Sequence, residues 1–176
     1  MNDDKLGMVS GFCMNIFDKS HHIIMVQDES GKPLVNGQRG YGLPGGRIET
    51  GESPSDALFR EWHEEVGIEG RNIPVFLEDQ ALIFEKQGVN NETYKHFVIP
   101  ITLGPSPKPL RQTGMAGETL APEWIKLTDI AKMNVPVFPS HINLIFEMLK
   151  PAAIKNINVA FAIAGMWRNY QHIISE

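Results

Sequence analysis

Two periods alternate along this chain, one near two residues and one near 3.6, and their order is the first clue to its architecture. Residues 7–16 (G-M-V-S-G-F-C-M-N-I) are apolar and β-compatible, and His22 to Gln27 reads as a second strand, with Asp18-Lys19-Ser20 as the turn. Asp28–Gly40 is polar and carries Gly31, Pro33 and the pair Asn36-Gly37, which predicts a loop or a flexible hairpin. After Gly42-Leu43-Pro44-Gly45-Gly46 a helical period takes over. Ser53 is placed to cap it, Pro54 to fill its first position, Asp56 to meet the positive end of its dipole and Gly67 to stop it. Leu58, Phe59, Trp62 and Val66 are expected to pack on the core, which leaves Glu61, Glu64 and Glu65 together on another face.

Short strands are expected next at Ile73–Phe76 and Ala81–Glu85, then a turn around Gly88–Asn91 and a strand over Tyr94–Leu103. Gly104 to Pro122 carries four prolines and three glycines and predicts a loop. Glu123–Leu127 is a short strand, and Thr128-Asp129 caps a brief helix. Ser140 caps a longer one with Ile142, Leu144, Ile145, Met148 and Leu149 as its stripe, ending before Pro151. Strands, a central helix, more strands and a terminal helix make an α/β fold, a mixed sheet with helices on its faces rather than repeated βαβ units. Residues 1–150 form the expected domain. Residues 151–176 lie beyond it, as an added helix packed on the domain, a strand through V-A-F-A-I-A, or a homodimer contact.

Composition narrows the class. A chain of 176 residues with 42% hydrophobic and 21% charged residues fits one soluble globular domain. A net charge of −5 argues against a nucleic-acid backbone as partner, though not against nucleotides, whose charge a metal can balance. The single cysteine, Cys13, allows no internal disulfide and is expected to be a small buried apolar residue of a reducing compartment. The N-terminus M-N-D-D-K lacks the layout of a secretion signal, and no apolar run is long enough to span a membrane, so a cytoplasmic protein is expected.

The chemistry concentrates between Glu52 and Glu65, where Glu52, Arg60, Glu61, Glu64 and Glu65 fall within fourteen positions. Like charges three and four apart on a helix repel by roughly 0.2–0.5 kcal/mol per pair. Either the face is simply solvated, or a divalent cation offsets the repulsion. Magnesium takes hard oxygen ligands with a substrate phosphate completing its shell, and carboxylates beside a Gly-rich loop supply them. Arg60, one turn before Glu64, is placed to bridge its acidic neighbours.

The full pattern resembles the box of the Nudix hydrolases, G-x5-E-x7-R-E-U-x-E-E-x-G-U with U bulky and apolar. Gly46, Glu52, Arg60, Glu61, Trp62, Glu64, Glu65, Gly67 and Ile68 match it in full, Trp62 being larger than the usual aliphatic residue. At roughly 6% usage per residue type, seven fixed identities arise by chance about once in 10⁸ to 10⁹ windows. The resemblance implies the family's α/β/α sandwich with a mixed sheet and a loop-helix-loop motif, and hydrolysis of a nucleoside diphosphate linked to another group. It implies Mg²⁺, with Mn²⁺ as a substitute, held by Glu61, Glu64 and Glu65 and by a carbonyl of Gly45 or Gly46. Glu52 and Arg60 become the pair that orients these ligands. Attack of water on phosphorus needs charge neutralisation, in-line positioning and an activated water, all of which bound Mg²⁺ can supply.

For a general base the resemblance offers Glu61 within the box or Glu118 in G-E-T-L-A-P-E-W, with Glu123 a weaker choice. Arg39, Tyr41, Tyr94 and Phe97 flank these segments and are candidates to contact base or phosphate. His63 is expected to face solvent, and His21-His22 to lie at the surface rather than bind metal. The marks of the ADP-ribose and dinucleoside polyphosphate subgroups are absent, since Leu82, Ile83, Phe84 and Glu85 occupy their positions. A small nucleotide remains, as a triphosphate or a diphosphate-sugar, and Glu118 tips the balance toward the triphosphate. The competing readings are a non-catalytic nucleotide sensor, against which the intact glutamates speak, and a docking protein, which leaves the spacing of Gly46, Glu52 and Arg60 unexplained.

Overall fold

β1 (Met8–Phe17) is the strand on which the sheet is assembled. The computed structural model describes residues 7–17, 19–27, 35, 37–67, 73–88, 92–103 and 122–174. Along one edge β1 runs parallel to β7 (Thr93–Thr102) over Met8–Cys13. Two strands share its other edge, both antiparallel: β4 (Gly45–Arg47) takes Met8–Ser10, and β2 (Ser20–Gln27) takes Met14–Phe17. β5 (Val75–Phe76) and β6 (Leu82–Gln87) pair with β7, while β3 (Tyr41–Gly42) and β8 (Glu123–Lys126) pair with β2. The sheet is mixed, as its sequence order implies.

Helices cover both faces. On one side α1 (Pro54–Glu65) inserts Ala57, Leu58 and Trp62, followed by Val66, against Val9, Cys13, Ile24, Ile99 and Ile101. On the other, α2 (Leu127–Ala131), α3 (Pro139–Ala153) and α4 (Ile157–Ile174) pack on Phe12, Ile23, Met25 and Val98. The central strands are therefore covered on both sides, which is why β2 reads as the unbroken run I-I-M-V rather than an alternation. This is an α/β/α sandwich. Trp62 fits because Gly11 lies beneath it: a Cβ on Gly11 would sit 3.1 Å from the indole and 2.5 Å from the Ile101 Cδ1. Cys13 is a buried apolar residue as expected, and burial pushes its thiol up to about 12.

Several expectations shift. Phe59 is 52% exposed and meets Phe76 edge-on, because the core face of α1 is already filled by Leu58, Trp62 and Val66. Residues 45–47 form a strand despite two glycines, since β1 supplies the pairing partner. Only Val75–Phe76 of the Ile73–Phe76 segment is strand, and a 3-10 turn at Glu78–Gln80 follows. The Thr128-Asp129 pair lies within α2 rather than capping it. Ser140 likewise sits inside α3, whose start is fixed by Phe138 and by Pro139, a residue with no N–H to satisfy. Pro151 does not end α3, because Ala152 and Ala153 pack on the core and hold the last turn. His21 and His22 are buried rather than at the surface: His21 Nε2 lies 3.1 Å from the Asn156 side chain, and His22 Nδ1 lies 3.1 Å from the Ser20 carbonyl.

The tail is a helix. Asn156 Oδ1 accepts from the backbone N–H of Asn158 and Val159, and α4 then buries Val159, Ala162, Met166 and Tyr170 at helical spacing. Asn169 Nδ2 and the Tyr170 hydroxyl donate to the carbonyls of Ala131 and Ile130 at the end of α2. No helix among the described residues is long and apolar enough to cross a membrane.

Candidate active site

The site begins where β1 pairs with β4. Gly45 lies opposite Ser10 with φ +146, and a Cβ there would overlap the Val9 carbonyl oxygen, so the close approach of loop and strand requires glycine. From there the chain passes the turn at Glu49–Glu52, where Gly51 has φ +89. It then starts α1 through a capping box: the Ser53 hydroxyl accepts from the Asp56 N–H, and the Asp56 carboxylate accepts from the Ser53 N–H. Gly67, at φ +86, follows the helix as expected, and its N–H donates to the Trp62 carbonyl.

Arg60 ties the site together. Its Nε and Nη2 donate to the two carboxylate oxygens of Glu52, at 2.9 and 3.0 Å. Nη1 donates to Glu61 Oε1 at 2.7 Å and lies 3.9 Å from Glu64 Oε2, and Nη2 also reaches the Arg47 carbonyl at 2.9 Å. The planar guanidinium is the only side chain that offers such a fork. Glu52 also accepts from the Glu49 N–H at 2.9 Å. The Arg60 hydrogen bond first, and this backbone donor second, hold its carboxyl down at about 2. Arg60 is correspondingly held further into its charged range by Glu52.

Two of the helix carboxylates reach back to the glycines. Glu65 Oε2 accepts from the Gly45 N–H at 2.7 Å, and Glu61 lies so close to Gly46 that a Cβ there would overlap its carboxylate. Glu64 faces the same Arg60 nitrogen from farther off, with its side chain 44% exposed. Among the described residues no three His, Cys, Asp or Glu side chains converge tightly enough to enclose a metal ion as they stand.

The other sequence candidates scatter. Tyr41 donates its hydroxyl to Glu123 Oε1 at 3.0 Å; burial first, then this carboxylate, push it up to about 12. Arg39 is exposed and offers its carbonyl to Gln27. Tyr94 and Phe97 stand on opposite faces of β7, and Phe97 packs in the core beneath α1. His63 is exposed, as expected. Glu118 and Ile68 lie outside the described residues.

Three polar residues were not singled out by the sequence, Ser10 and His96 buried and His141 partly so. Ser10 on β1 and His96 on β7 meet at 2.9 Å on the sheet face away from α1. His141 in α3 stands edge-on to His96, ring centroids 6.5 Å apart, and its Nδ1 accepts from the Leu43 N–H at 2.9 Å. The one available signal was His96 itself, a polar residue in phase with the inward positions of a strand.

The NUDIX domain family model matches residues 8–145. An 8-oxo-dGTP diphosphatase from Proteus vulgaris is 36% identical over 70 residues, 39% of this chain and 56% of that protein, so the match spans about half of that relative's length. Among solved structures, the NUDIX domain of Shewanella oneidensis NrtR complexed with ADP ribose superposes with a TM-score of 0.56 at 17% identity, covering 81% of this chain and 85% of that one. A NUDIX hydrolase from Nitrosomonas europaea gives 0.55 at 22% identity, covering 78% and 84%. The C. elegans Ap4A hydrolase binary complex gives 0.55 at 16% identity, covering 72% and 84%. At these identities the structures share the fold.

Proposed function

The chain belongs to the NUDIX domain family, and from that premise we propose that it is a metal-dependent nucleotide pyrophosphohydrolase whose working residues are those gathered around Arg60. The observation that carries this reading is the Arg60 fork itself. It binds Glu52 and Glu61 at once, and Glu65 on the same helix as Glu61 is bound to the Gly45 N–H at the start of β4.

The donor set suits a hard divalent cation such as Mg²⁺, with Mn²⁺ as a substitute: three glutamates on one helix beside a glycine backbone, all oxygen donors. Glu61, Glu64 and Glu65 with the Gly46 carbonyl are the residues that would hold it. As they stand, Glu61 and Glu65 are engaged with Arg60 and the Gly45 N–H, so a cation competes with those two hydrogen bonds. When bound, the metal supplies charge neutralisation and an acidified water. The chain's own part is positional. Arg60 and Glu52 lock the rotamers, and Glu61 or Glu118 takes the proton as water adds to phosphorus and the bridging P–O bond breaks.

The substrate we favour is a nucleoside triphosphate. The Proteus vulgaris relative, by name a diphosphatase of 8-oxo-dGTP, supports that choice over a nucleotide-sugar. The test is a panel of triphosphates, diphosphate-sugars, ADP-ribose and dinucleoside polyphosphates, assayed with Mg²⁺ and with EDTA, on wild type and Glu64→Gln. Metal-dependent turnover, lost in a folded Glu64→Gln, is expected. Near-normal activity in that variant removes Glu64 from the metal site. A nucleotide that raises the melting temperature without being cleaved makes the chain a binding module instead.

A further inference from the structure

The segment Tyr41–Leu43, which leads through Pro44 into the glycines of β4, is laced to the start of α3 by a short parallel ladder. The Tyr41 N–H donates to the Pro136 carbonyl at 2.7 Å, and the Phe138 N–H donates to the Tyr41 carbonyl at 2.9 Å. In a parallel ladder the next bond runs from the N–H two residues on, that of Leu43, to the Phe138 carbonyl. That carbonyl is already taken. The chain turns into α3 at Pro139, and the N–H groups of His141 and Ile142 both donate to Phe138, at 2.9 and 3.2 Å. Leu43 is buried, so an unsatisfied N–H there would cost about 1–3 kcal/mol. The His141 ring fills the gap, with Nδ1 2.9 Å from the Leu43 nitrogen. Because Nδ1 accepts from an N–H, the neutral ring carries its own proton on Nε2.

We propose that His141 is a positioning residue for the reaction, its imidazole standing in for the missing carbonyl of the ladder and so holding the loop that carries Gly45 and Gly46. The loop's far side is fixed independently, by the Gly11 N–H on the Pro44 carbonyl at 2.8 Å and by Glu65 on the Gly45 N–H. Without His141 the backbone pairing of the near side ends at Gly42, which β2 holds opposite Val26, and the Leu43 N–H just before Pro44 loses its partner. A ring also sits against Gly42, where a Cβ would lie 3.2 Å from the imidazole, so the fit depends on glycine at that point. The catalytic part of the inference rests on the reading of Glu61 and Glu65 given above; the hold on the loop does not.

Two near-isosteric variants separate the roles of the ring atoms. His141→Asn puts an acceptor oxygen where Nδ1 stands, and His141→Gln reaches only the Nε2 position. The readouts are amide hydrogen exchange at Leu43 by NMR, and kcat and KM as functions of Mg²⁺ concentration. Asn is expected to keep both within about threefold of wild type, whereas Gln speeds Leu43 exchange by about tenfold or more. In Gln, kcat at fixed Mg²⁺ falls and the half-saturating Mg²⁺ rises, each by about tenfold, a range usual for groups that orient metal ligands. Gln behaving like wild type in exchange, or Asn doing no better than Gln, overturns the proposal. If wild type cleaves nothing while exchange still follows the Asn/Gln pattern, the enzymatic reading fails and the catalytic part of this one with it. If wild type is active and Leu43 exchange ignores both variants, only the role of His141 is refuted.

Discussion

Acid should loosen this fold through His96, and the size of the effect follows from where the ring sits. His96 is 6% exposed, between β1 and β6, and burial first, then the positive charge of Lys86, hold its pKa down at about 4. In the unfolded chain the same imidazole titrates near 6.5. Between those values the unfolded chain binds a proton that the folded one refuses. Stability is therefore complete above about pH 6.5 and drains away as the pH falls toward about 4. At about 1.4 kcal/mol per pH unit the whole gap is worth about 3 kcal/mol, of which about 2 kcal/mol is gone by pH 5. Urea titration of wild type and His96→Gln at pH 7.5 and pH 5 isolates the term. The variant loses stability at both values, but wild type should lose about 2 kcal/mol more than the variant on acidification. His21, whose pKa burial also lowers, is present in both proteins and cancels. Glu52, held down at about 2, loses its contribution as the pH falls from the ordinary carboxylate range toward about 2, and it too is present in both proteins and cancels. Equal pH dependence in the two proteins would refute the reasoning.

Three substitutions probe the site and its support. Gly46→Ala places a methyl group on the Glu61 carboxylate at a backbone position that any residue can adopt. Turnover should fall by about 10–100-fold with little change in melting temperature. Arg60→Lys keeps the charge but loses the fork on Glu52 and Glu61. The Glu52 carboxyl should rise from its depressed value, read by NMR titration, and activity should drop about 10–100-fold. Gly11→Ala drives a methyl into Ile101 and Trp62 and should cost about 1–3 kcal/mol by denaturation. Adding Trp62→Leu should relieve part of that cost, so a strictly additive double mutant would contradict the packing described here.

What could be read from the sequence was what short spacing encodes. Ser53, Pro54 and Gly67 bound α1 as their chemistry requires, and Arg60 finds Glu52 only eight residues away. Features that depend on distant partners stayed hidden. Residues 45–47 become a strand only because β1 lies alongside, and Phe59 is exposed only because Trp62 and Leu58 fill the space under α1. Ser10 and His96 are 86 residues apart, and Leu43 and His141 are 98 apart, so no spacing rule connects them. The misreading of His21 shares that cause: Asn156, 135 residues on at the start of α4, lies against it.

The geometry also explains why a motif built around carboxylates opens with glycines. Gly45 cannot carry a side chain because β1's backbone occupies the space, and at Gly46 a side chain would displace the Glu61 carboxylate. The two exclusions work in opposite directions across one dipeptide. The first brings the loop down onto the sheet, exposing the Gly45 N–H for Glu65 to bind. The second lets the helix approach until Glu61 lies against the backbone, within reach of Arg60. A Cβ at Gly45 would lift the loop off the sheet, whereas one at Gly46 would push the Glu61 carboxylate away from the loop and leave the backbone in place. The spacing from Gly46 to Glu52 to Arg60 is thus the length of chain needed to leave β4, make one turn and return with a guanidinium that binds Glu52, Glu61 and the Arg47 carbonyl at once.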